Sequence, residues 1–74
     1  MVLEKLRMII CNEFEIDKAE IETNVYLIDL GFDELDIADL CMSVEDEFEI
    51  EVTSEAAEEF KTIGDVVKYI EENI

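Results

Sequence analysis

The hydrophobic positions divide the chain into four helical stretches joined by one long and two short connections. At about 100° per residue, Leu3, Leu6, Ile10 and Phe14 fall on a single stripe, with Glu4, Arg7, Met8 and Glu15 off it. This predicts a first helix over residues 1–15. From 16 to 32 the period is lost, yet the segment holds Ile16, Ile21, Val25, Leu27, Ile28 and Leu30 before Gly31. So many apolar residues in one connection predict an ordered loop that closes one end of the assembly. A second helix is predicted to start at Asp33, a good N-cap, with Asp36 three positions on as a capping-box acid. Ile37, Leu40, Cys41, Val44 and Phe48 give it an apolar stripe of about three turns, fraying near residue 50.

Residues 54–60 offer only Ala56, Ala57 and Phe60 to a core, so the third helix is expected to be short. The last begins at Thr62, where Asp65 completes a T-x-x-D cap, and its expected buried face is Ile63, Val66, Val67, Ile70 and Ile74. Gly31 suits the turn before the second helix; the pattern supplies no reason for Gly64. The expectation is an all-α fold, one domain over residues 1–74; half the residues are hydrophobic, enough to form a core, which should be mainly aliphatic. A domain of this size buries only roughly 60–65% of its unfolded surface, so modest stability is expected.

Charge changes the picture most. Twenty-two acids against five bases give a net charge of −17. No Lys or Arg occurs from residue 19 to 60, a window that contains fifteen of the acids. Nucleic acid and anionic membrane are poor partners for such a surface, whereas a basic patch on another protein suits it. Self-repulsion argues for a monomer. No apolar run approaches the roughly twenty residues of a membrane span. The first residues, with Glu4, Lys5 and Arg7 among them, do not read as a secretory leader. Cys11 and Cys41 then read as reduced thiols, and a cytoplasmic location is expected.

Catalysis finds little support. There is no His, Cys41 lies on the core stripe, and surface carboxylates lack the dry pocket that acid–base work needs. Tyr26 and Tyr69 are expected to be packed rings with solvated hydroxyls. The run Asp29-Leu30-Gly31-Phe32-Asp33 fails the calcium-loop pattern because its Gly is misplaced, so no specific metal site is expected.

The second helix carries a sharper signal. Taking Ile37 as zero, Leu35 falls at roughly 160° and Met42 at roughly 140°, opposite the core stripe, and Asp39, Asp46 and Glu49 share that face. Apolar side chains ringed by carboxylates suit a docking surface, where charge steers and apolar contact holds.

The run Leu30-Gly31-Phe32-Asp33-Glu34-Leu35-Asp36, continuing through Leu40-Cys41-Met42-Ser43-Val44-Glu45-Asp46-Glu47-Phe48, resembles the acyl carrier protein family. That family reads L-G-x-D-S-L-D followed by an acidic helix ending in an E-E-E-F-like run. The likeness extends from Leu3 to Ile70. It implies a small four-helix bundle with a long ordered loop between helices 1 and 2. It also implies a 4′-phosphopantetheine arm on a serine at the start of the second helix. Partner enzymes of fatty-acid or polyketide synthesis would dock through basic patches. The recognition positions carried over are Asp33, Leu35, Asp36, Asp39, Met42, Glu45 and Asp46, with Val52, Ala57 and Phe60 as acyl-pocket residues. One position departs: Glu34 stands where the family has its serine. A carboxylate has no hydroxyl to join to the phosphate of coenzyme A, and Ser43 and Ser54 lie elsewhere. No cofactor is therefore expected on this sequence. Three origins fit: a natural carrier-like protein without its arm, an engineered arm-less variant, or a shared fold alone. The alternative function is a regulatory adaptor that occupies carrier-binding patches without delivering cargo.

Overall fold

The computed structural model describes residues 2–74. It contains α1 (Val2–Phe14), α2 (Glu34–Phe48), α3 (Ser54–Glu59) and α4 (Ile63–Asn73), with single 3₁₀ turns at Lys18–Glu20 and Ile28–Leu30 in the long connection. The four expected helices and the short third one are all present. Two of them stop where a residue turns left-handed, at Glu15 after α1 (φ 56°) and at Glu49 after α2 (φ 55°).

The helix starts follow from side-chain capping. Asp33 accepts the Asp36 N–H at 2.9 Å, and the Asp36 carboxylate accepts the Asp33 N–H at 3.2 Å. Thr62 and Asp65 form the same reciprocal box at α4, where the Asp65 carboxylate also accepts the Lys61 N–H at 3.0 Å. Thr53 caps α3 through the Ala56 N–H. Each box satisfies backbone donors that the first turn leaves unpaired.

The helices close around Leu6, Ile10, Leu40, Val44, Ile63, Val66 and Ile70, all essentially inaccessible. Ile9 is buried too, which the narrower stripe of α1 omitted. Ile74 departs from expectation: it is 68% exposed, because α4 ends at Asn73 and the chain has passed the core. Among the described residues no helix is long and apolar enough to cross a membrane. Both cysteines are free, Cys41 buried and Cys11 partly so.

The long connection is ordered by its own packing and by the backbone of α4. Ile21, Leu27 and Phe32 enter the core, and the Phe32 ring meets Phe14 at 4.7 Å. The Leu27 N–H donates to the Lys61 carbonyl at 2.8 Å, and the Ile63 N–H to the Val25 carbonyl at 3.0 Å. One further apolar residue of the loop stays outside: Ile28 is 75% exposed. Arg7 holds the loop to α1. Its Nε–H donates to the Ile21 carbonyl at 2.8 Å, while its two terminal nitrogens pair with Glu4 and Glu22.

Gly64 gains an explanation. Its N–H donates to the Thr23 carbonyl at 2.8 Å, and a Cβ there would lie 2.8 Å from that same oxygen. Only a residue without a side chain lets the loop come this close to α4.

Candidate functional site at the start of the second helix

Gly31 sets the entry to α2. Its φ of +91° reverses the chain after the 3₁₀ turn, and its N–H closes on the Ile28 carbonyl at 3.1 Å. Phe32 then anchors in the core, Asp33 caps, and Glu34 is the first helical residue, with its side chain exposed. Beside it lies an open groove of about 730 Å³, walled by Tyr26 and Ile28 from the connection, Ile37 from α2, and Phe60 and Lys61 from the α3–α4 junction.

The outward face of α2 is as apolar and acidic as its spacing predicts. Leu35 is 76% exposed and Met42 64%, and Asp39 and Asp46 are exposed beside them. Asp33 and Asp36 are turned partly to their own cap. Glu45, like Asp36, is half-buried, and its carboxylate accepts the Val52 N–H at 2.8 Å, tying the link after α2 back onto the helix. Burial pushes the Cys41 thiol up, with the Glu45 charge adding to it, so this thiol is kept protonated and unreactive.

Of the three acyl-pocket positions, the structure brings only Phe60 to the groove. Val52, in the link before α3, and Ala57, on α3, pack half-buried against the core cluster instead. Tyr69 also differs from expectation. Its hydroxyl is not merely solvated but donates to the Glu51 carbonyl at 2.8 Å, while its ring meets Phe60 edge-on at 5.5 Å. Tyr26, Ile28 and Lys61 were not foreseen as groove residues. Their positions in sequence carry no shared period that could have grouped them.

The family described as a phosphopantetheine attachment site matches residues 4–70. Acyl carrier protein from Clostridium perfringens is 44% identical over 73 residues, covering 97% of this chain and 96% of that one. Acyl carrier protein from Clostridium acetobutylicum is 46% identical over 71 residues, covering 95% and 92%. The crystal structure of acyl carrier protein from Thermotoga maritima superposes with a TM-score of 0.87 over 96% of this chain and 84% of that one, at 24% identity. The chain belongs to the acyl carrier protein family. Its members are carriers and not enzymes, and their prosthetic group is 4′-phosphopantetheine.

The residues of this carrier-family chain do not fit that group at the start of α2. Glu34 has no hydroxyl to form the phosphodiester. Among the described residues, the only hydroxyl lining the groove is the phenol of Tyr26. Ser43 lies mid-helix with its hydroxyl donated to Glu13, and Ser54 opens α3.

Proposed function

We propose that this protein is a carrier-type interaction protein of acyl biosynthesis that docks on partner enzymes through α2 and bears no phosphopantetheine arm. Family membership supports the metabolic setting. The observation that carries the arm-less reading is Glu34, exposed in the first turn of α2, at the position that the sequence resemblance aligns with the family's serine. Docking rests on Leu35 and Met42, apolar and exposed amid Asp39 and Asp46. The partner surface is a basic patch of an acyl-chain-processing enzyme, met by a monomer. Asp33, Asp36 and Glu45 contribute charge while also serving the fold.

Binding to a carrier-dependent fatty-acid synthesis enzyme tests the docking reading. The affinity should fall with added salt. It should also fall about tenfold or more when Leu35 or Met42 becomes Ala, the loss expected of a central contact. Binding that ignores both substitutions, or its absence at low salt, would overturn the reading.

A regulatory adaptor is the second reading, favoured by one feature: Glu34 places a fixed negative charge where the family carries a phosphate. Pull-down with identification of the captured proteins separates the two. Acyl-processing enzymes support the first reading, and exclusively unrelated targets support the second.

A further inference from the structure

The groove beside Glu34 lies outside the Leu35–Met42 face and has no occupant among the described residues. Its apolar walls are substantial: Ile28 is 75% exposed, Tyr26 is 51% exposed, and Ile37 and Phe60 line the interior. Two opposite charges stand on different walls, Glu34 on α2 and Lys61 at the α3–α4 junction. They do not neutralise each other. Among the described residues the ion pairs are those of Arg7 with Glu4 and Glu22. Asp33 lines the groove next to Glu34, so the α2 rim is doubly anionic and the rim as a whole remains negative.

An apolar trough ending in uncommitted carboxylate suits a particular shape of ligand: a flexible hydrocarbon stem with a cationic head. Arginine has that shape, burying its methylenes along apolar surface while its planar head meets a carboxylate with two parallel hydrogen bonds. We propose that the groove receives an arginine side chain of the docking partner, its stem on Ile28, Ile37 and Phe60 and its guanidinium on Glu34. This rests on the docking reading above, and it makes residue 34 a recognition group in its own right. The head must lie at the α2 end, because Lys61 repels it from the other.

A probe that needs no partner tests the assignment. The isotopically labelled protein is titrated at low ionic strength with n-pentylguanidinium, and with pentanoate as the anion of similar length, while amide and methyl resonances are followed. The expected result is saturable shifts confined to Glu34, Ile28, Ile37 and Phe60 with the guanidinium alone. Glu34→Gln should weaken that binding about two- to fivefold, the range of a single exposed ion pair, and Lys61→Ala should strengthen it by a similar factor. Both sites are exposed, so neither variant threatens the fold. Shifts spread over all the acids, indifference to Glu34→Gln, or preferred binding of pentanoate that weakens in Lys61→Ala would each overturn the proposal. Such a failure leaves the Leu35 and Met42 measurements untouched. Loss of enzyme docking with guanidinium binding intact would instead count against the docking reading.

Discussion

A β-carbon at position 64 would sit 2.8 Å from the Thr23 carbonyl oxygen, a backbone atom that cannot swing aside. Gly64→Ala should therefore force the loop off α4 and destabilise the protein by about 1–3 kcal/mol, the cost of overpacking a closed contact, as read from urea unfolding. No signal within the sequence marks this glycine, because its partner lies forty-one residues away in a loop without period. Gly31 was legible, since it directly precedes a capped helix and needs a positive φ. Asp65 adds a pH-dependent term. Backbone N–H groups of Thr62 and Lys61 hold its carboxyl below the ordinary value of 3.8. A depressed carboxyl stabilises the fold fully above its unfolded value, and that contribution declines as pH falls from there through the folded value. The stability advantage of the native chain over Asp65→Asn should accordingly shrink on acidification through this range, as followed by urea unfolding at each pH.

Helix α2 has two faces with separate duties, and substitution should separate them. Leu40 and Val44 are buried, whereas Leu35 and Met42 stand in solvent. Leu35→Ala and Met42→Ala should each change unfolding free energy by no more than about 0.5 kcal/mol, since neither leaves a cavity. A larger loss in thermal or urea unfolding would mean that these side chains support the fold. Both faces could be read from the sequence because a helix repeats every 3.6 residues, and the caps could be read because they are local. The role of Glu45 could not, since its acceptor oxygen serves Val52, beyond the helix end. The groove was equally hidden: its walls come from three segments that only tertiary packing joins. That is also why Phe60 reached it and Val52 and Ala57 did not.

At the scale of the whole molecule, a net charge of −17 occupies a body of 26 × 25 × 20 Å. The Debye length is about 30 Å at 0.01 M salt, longer than any of these dimensions, so at low salt the acids repel one another across the whole body, whereas at about 0.1 M, where it is about 10 Å, only neighbouring acids do. Among the described residues the ion pairs are confined to Arg7, which relieves little of this. The melting temperature should rise clearly with added NaCl, and a flat response would show the acids to be well separated. Counting charges was enough to foresee this surface, and the helix order with its capping signals was enough to foresee the bundle. Position 34 carries the functional account. Intact-mass analysis after incubation with coenzyme A and a promiscuous phosphopantetheinyl transferase tests it most directly. The chain should gain no mass, while Glu34→Ser should gain one phosphopantetheinyl group. A gain on the unsubstituted chain, at Tyr26 or at any other residue, would contradict the account.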